Sequence, residues 1–269
     1  MRQFSFKELK VTYIIMALCL LIFAVINLRP MGLSKSAWAV LLGAYYRPFL
    51  LAGEYWRLLT VGFVHVDVWH LLMNMTALYN LGSMLERRYG AVRYTAVLLI
   101  SVVCGSLFMA AAGDTALAVG LSGGLYGLMG AYLAMLWRMG VLNNPAVRSG
   151  LIRTLGINLM INFMPGIAYM AHAGGFIAGV LMGLALEPQS SQAMKRNCNI
   201  ALVLYAACMS LLVFTKPVLR DDTYQGFDLG LLVFESQHGL KNHALQMAKR
   251  LDALYDTDYM EQYLTVHGG

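Results

Sequence analysis

Charge is scarce in this 269-residue chain: Asp, Glu, Lys and Arg supply 13% of it, against about 25% in soluble proteins. That scarcity excludes a solvated globular surface as the main organisation, and the 59% hydrophobic share shows what replaces it. Only 6 prolines are present, so long segments are free to run as uninterrupted helix. The 4 cysteines, Cys19, Cys104, Cys198 and Cys208, lie within or at the edge of apolar stretches and outline no disulfide framework. A glycine-rich phosphate loop, a Cys/His set at metal-ligand spacing and an internal repeat are all missing. Neither a metal nor a cofactor is expected.

The apolar residues fall in runs of membrane-crossing length. Seven spans are predicted, at 11–28, 68–85, 94–112, 120–137, 151–167, 169–186 and 199–215, which makes the fold class an all-α polytopic membrane protein. The fifth is the most polar; it holds Asn158 and Asn162, meets Pro165-Gly166, and is expected to be short, tilted or mobile. Arg2, Lys7 and Lys10 precede the first run, but Asn27-Leu28-Arg29-Pro30 offers no small-residue cleavage site, so the run reads as an uncleaved span. With a cytoplasmic N-terminus, eleven bases fall in inside segments and four in outside loops, the asymmetry of the positive-inside rule. The net charge of +6 therefore expresses topology and attraction to a lipid surface. Its bases are spread over short loops, and no nucleic-acid partner is expected.

Three regions follow: a six-span core at 1–186, a linker and seventh span at 187–215, and a tail at 216–269. The outer loop 29–66 interleaves Trp38, Tyr45, Tyr46, Tyr55 and Trp56 with a few charges and is expected to contain interfacial helical pieces. The tail carries eight acids against five bases, and Leu240, Ala244, Leu245, Ala248, Leu251, Leu254 and Tyr255 predict one amphipathic helix in it. Seven spans from an inside start place that tail outside.

Parity of the spans carries the functional reading. The second, fourth and sixth spans run in the same direction, so their N-terminal ends share one depth. His70 and Asn74 open the second, Ser122 the fourth, and His172 lies near the start of the sixth. A histidine can take a serine proton and return it to a leaving amine, while an imidazole, an asparagine amide and the Ser122 backbone N–H can bind an oxyanion. Gly123, Gly127 and Ala131 on one span and Gly175, Gly179 and Gly183 on another are small-residue rows that let helices approach closely. Tyr126, four residues after Ser122, falls on the same face and can hold the His172 ring. No carboxylate lies in a span where it could orient His172; Asp114 reads as a solvated turn residue, so a Ser–His dyad is preferred to a triad. The same polar set also suits a proton relay lining a water cavity in a transporter, or a membrane adaptor that recognises helices without cutting them.

The ordered motifs Trp56-Arg57, His65, His70-x-x-x-Asn74, Glu86-Arg-Arg-Tyr-Gly90, Gly120-x-Ser122-Gly and Ala171-His172-x-Gly-Gly cover most of residues 50–186. In that order they resemble the rhomboid family of intramembrane serine proteases. The resemblance implies Ser122 as nucleophile, His172 as general base, and His70, Asn74 and the Ser122 amide as the oxyanion site. It further implies that Tyr126 stacks on the histidine and that Gly120 belongs to a strand-like lead-in to the serine. The implied partners are membrane lipid and transmembrane protein substrates, single-span ones among them, cut through an acyl-enzyme. The implied setting is the plasma membrane of a bacterium, with the N-terminus cytoplasmic and the fifth span as a candidate gate.

Overall fold

The computed structural model describes residues 10–28, 32–113, 115–162, 166–215 and 224–267, with the side chains of Leu159 and Ile161 left aside. Asp114, Pro165 and the start of the tail lie outside the described residues.

Helix α1 (Lys10–Leu28) is apolar on nearly all sides. It leads into an irregular region containing three short helices, α2 (Lys35–Leu41), α3 (Arg47–Leu51) and α4 (Arg57–Thr60). They are the helical pieces expected in the 29–66 loop. Arg57 organises them from a buried position: it pairs with Glu54, donates to the carbonyls of Val40 (2.6 Å) and Ala44 (2.9 Å), and lies over the Trp56 ring at 4.5 Å. A guanidinium suits this place because its fixed fork reaches two carbonyls and a carboxylate together.

After Asp67 caps it, the next helix runs as α5 (Val68–Ala77), one wide turn at Leu78–Gly82 and α6 (Ser83–Tyr89). Helices α7 (Ala91–Ala112), α8 (Ser122–Arg138), α9 (Pro145–Ile161), α10 (Tyr169–Leu186) and α11 (Gln192–Thr215) follow. Each of the seven predicted spans falls wholly or mostly on one of these helices. Four of them, α1, α7, α10 and α11, are long and apolar enough to cross a membrane, and Arg57–Phe63 with Val68–Tyr89, bent by 94°, forms a fifth unit of that kind. Helices α8 and α9, at 17 residues each, are shorter. Helix α9 also begins six residues earlier than the expected 151, because Pro145 is pre-set for a helix start and the Asn144 side chain accepts from the Ala146 N–H at 2.9 Å.

Helices α7, α8 and α10 form the centre, and glycine is the reason they can. A Cβ on Gly179 would run into the backbone of Gly127, one on Gly183 would lie 2.7 Å from Ala131 Cα, and one on Gly124 would lie 2.8 Å from Leu98 Cδ1. Without a strong hydrophobic drive between helices in lipid, such backbone-to-backbone packing supplies the attraction. Glu86 ties the outer elements to this centre. Its buried carboxylate accepts from the N–H groups of Val11 (2.9 Å) and Thr12 (3.0 Å) and from the Thr12 hydroxyl (2.6 Å), capping the start of α1.

The tail differs from the single helix expected. Its described residues form three, α12 (Gln225–Glu235), α13 (Lys241–Tyr255) and α14 (Tyr259–His267), broken where Gly239 and Asp256 take positive φ. The helical period was plain only in α13, whose apolar stripe is the cleanest. These helices pack on the 29–66 loop, burying Leu231, Leu232, Met247 and Leu251 against Val40, Tyr46 and Phe49. Phe214 near the end of α11 meets Tyr55 of the loop edge-on at 5.4 Å, whereas Arg88–Glu187 (2.7 Å) ties the start of the 187–191 linker to the opposite end of the bundle. Loop and tail thus share one side.

Candidate active site

Asp67 begins the site. Its carboxylate accepts from the His70 N–H at 2.9 Å, fixing the first turn of α5 so that His70 and, one turn later, Asn74 face the bundle interior. Asn74 is buried and donates to the His70 carbonyl at 3.0 Å, leaving its second amide proton uncommitted by that bond.

Opposite them the chain arrives in extended form. A two-residue strand β1 (Tyr45–Tyr46) pairs antiparallel with β2 (Leu117–Ala118), in the register Tyr45↔Ala118 and Tyr46↔Leu117. The chain then passes Gly120, whose N–H bonds the Val61 carbonyl at 3.0 Å and whose φ is +116°. A Cβ here would lie 2.6 Å from His70 Nε2, so backbone conformation and space both demand glycine. Ser122 is the first residue of α8, where a backbone N–H has no helical acceptor of its own.

His172 comes to Ser122 from α10. Its Nε2 stands 2.7 Å from Ser122 Oγ, and its ring stacks on Tyr126 with centroids 4.1 Å apart at an interplanar angle of 8°. The approach depends on a small residue on α10, since a Cβ on Gly175 would collide with the Gly123 backbone. Ser122, Tyr126, His172, His70 and Asn74 all line one cavity of about 1140 Å³, and Gly120 lies against His70 at its wall.

One participant escaped the sequence reading. Asn162, just past the end of α9, places its amide oxygen on His172 Nδ1. An amide oxygen only accepts, so this pairing selects the tautomer protonated at Nδ1, in which the Nε2 lone pair faces the serine hydroxyl. Its one signal in the sequence is a polar residue in an apolar span, which points to a tilted or mobile helix as readily as to a site. Asn158 on the same helix accepts from the Tyr126 hydroxyl at 2.9 Å through its carbonyl, so α9 fixes both the histidine and the ring stacked on it. His65, beside this set, is wholly buried and meets the His70 ring at 5.2 Å.

A hydroxyl, an unprotonated imidazole nitrogen at hydrogen-bond distance, and nearby imidazole, amide and helix N-terminal N–H groups are the parts that acyl transfer needs. Residues 52–189 match the model of the Rhomboid domain. Among curated relatives, "RHOMBOID-like protein 6, mitochondrial" of Arabidopsis thaliana is 32% identical over 79% of this chain and 71% of its own length. "Rhomboid-like protease 1" of Toxoplasma gondii is 30% identical, covering 68% of this chain and 67% of its own. "Rhomboid protease GluP" of Bacillus subtilis is 28% identical over 76% of this chain but only 40% of its own length. With the domain model matching over half of the residues, the chain belongs to the rhomboid family.

Proposed function

We propose that the protein is an intramembrane serine endopeptidase that cleaves transmembrane segments of other membrane proteins. The 2.7 Å contact between His172 Nε2 and Ser122 Oγ carries the reading, because it joins nucleophile and base inside a helical bundle of membrane-crossing length. Ser122 Oγ attacks the scissile carbonyl while His172 takes its proton. The tetrahedral oxyanion is met by the His70 imidazole, the Asn74 amide and the Ser122 N–H. His172 then gives its proton to the leaving amine, and water, activated by the same imidazole, resolves the acyl-enzyme. Asn162 holds the histidine in the required tautomer, extending the Ser–His pair by a neutral third member.

The proposed topology has a cytoplasmic N-terminus, supported by the distribution of basic residues, with the cavity and the tail toward the outer face of a bacterial plasma membrane. Helix α9 is the proposed gate. Its residues Ile152, Ile157 and Met160 are more than half exposed, and it contributes Asn158 and Asn162 to the site from the rim. The test is cleavage of a single-span substrate in liposomes by wild type and Ser122→Ala, with the cut site sequenced. A defined cut made by wild type and lost in Ser122→Ala supports the assignment; equal cutting by both overturns it.

A further inference from the structure

The tail reaches the active site through one strand. Tyr46 of β1, nearly wholly buried, donates its hydroxyl to Asp228 Oδ1 at 2.7 Å, and Tyr255 donates to Asp228 Oδ2 at 2.8 Å. Around this polar point, Phe49, Tyr224 and Phe227 meet the Tyr46 ring edge-on at 5.4–6.3 Å. A second anchor follows within ten residues, where Arg250 donates to the Ala52 carbonyl at 3.1 Å. A third is His243, 3.2 Å from Glu54 and 2.9 Å from Glu235, which links the tail to the carboxylate that holds Arg57. Helices α12 and α13 therefore grip the very segment that carries β1.

β1 in turn carries β2. Tyr46 is the direct partner of Leu117, and the Arg47 N–H extends the pairing to the Ala116 carbonyl at 2.9 Å. Leu117 faces two ways: it packs against the tail-covered cluster and also lines the active-site cavity, as do Ala116, Ala118 and Val119. Gly120 follows three residues after Leu117, and Ser122 five. A two-residue ladder has little stability of its own, since isolated strand pairs are marginal even when longer. β1 is held from two sides: Tyr45 packs into the helical core and Arg47 donates to the Ala110 carbonyl at 2.9 Å, while the tail covers Tyr46.

We infer that the C-terminal helical unit is a positioning element of the active site: through Tyr46 and Asp228 it holds β1, and through β1 it sets the β2 wall along which a substrate segment must lie. The inference rests on the peptidase reading. It assigns Tyr46, Asp228 and Tyr255 as positioning residues, acting through β2 and not on the reacting atoms. The nucleophile, base and oxyanion groups sit on α5, α8 and α10, so releasing the tail leaves them in place.

The experiment compares full-length wild type, Asp228→Ala, Asp228→Asn and Ala248→Glu, the last placing a carboxylate at a fully buried tail position, with Tyr259→Ala at the exposed tail surface as control. Cleavage of a single-span substrate in liposomes gives kcat and KM, and a small fluorophosphonate probe gives the labelling rate of Ser122. In Asp228→Ala and Ala248→Glu, KM is expected to rise about tenfold with labelling within about twofold of wild type. Asp228→Asn keeps an acceptor for Tyr46 and restores most of the loss. Hydrogen exchange at residues 117–120 is expected to speed in the same variants. Unchanged KM in variants whose tail exchanges as a released segment overturns the inference. If Ala248→Glu does not fold, Tyr46→Phe decides, with the same two outcomes. Failure of wild type to label or cleave would instead strike the peptidase reading itself.

Discussion

Replacing Asn162 tests the reading of the site most directly, since nothing but its amide oxygen is proposed to fix the His172 tautomer. Three contacts hold the imidazole: the Ser122 hydroxyl at 2.7 Å, the Tyr126 ring at 4.1 Å and Asn162 at Nδ1. Asn162→Leu keeps the bulk and removes the acceptor. The ring plane survives because Tyr126 remains, but the proton is no longer biased toward Nδ1. A net hydrogen bond of about 1–1.5 kcal/mol corresponds to a loss in kcat of about tenfold. The loss should be smaller than the roughly 10⁴-fold seen where an orienting group imposes the wrong tautomer, because here neither tautomer is enforced. Asn162→Asp, which restores an acceptor, should recover most of the rate. Both kcat on a liposome-embedded substrate and fluorophosphonate labelling report the effect, and KM should barely move. If Asn162→Leu turns over at the wild-type rate, the neutral third member is a packing neighbour only and the assigned role is wrong.

Three further outcomes are expected. Gly179→Ala drives a methyl into the Gly127 backbone and should lower thermal stability in detergent by about 1–3 kcal/mol or prevent assembly, whereas Gly156→Ala on α9, with open space around it, should be neutral or gain up to about 1 kcal/mol. Glu86→Ala strips three acceptor contacts from the start of α1 and should cost about 3 kcal/mol, read as a lower temperature of half-inactivation, with Glu86→Gln intermediate. Burial pushes the Asp228 carboxyl up from its ordinary 3.8 to about 6, against the pull of the Tyr46 and Tyr255 hydroxyls. Because the docked state holds the proton more tightly than the released one, this contribution is fully present below pH 3.8 and is lost as pH rises through 6, by at most about 3 kcal/mol. Hydrogen exchange in the tail should therefore be slower at pH 5 than at pH 7 after correction for intrinsic exchange, and Asp228→Asn should flatten the difference; equal pH dependence in both would refute the assignment.

What the sequence disclosed and what it hid divide along a physical line. Ser122, His172, His70 and Asn74 were legible because helix direction alternates through a membrane, which turns three distant stretches into one layer without any knowledge of contacts. Tyr126 and the glycine rows were legible because neighbours three and four residues apart share a helical face. Asn162 was not, since its use depends on where α9 starts and how far its end reaches, and an offset of six residues at Pro145 reassigns which side chains meet the rim. The tail's docking was hidden more deeply still. Tyr46 and Asp228 are 182 residues apart, and each alone reads as ordinary: an interfacial aromatic in one place, a solvated acid in the other. Their meeting gives the buried Asp228 carboxylate its hydroxyl donors and anchors one of the two paired strands that lead to Ser122. The contact also puts the tail on the same side as the 29–66 loop whatever the number of spans, because a miscounted helix would invert the parity but could not separate Asp228 from Tyr46.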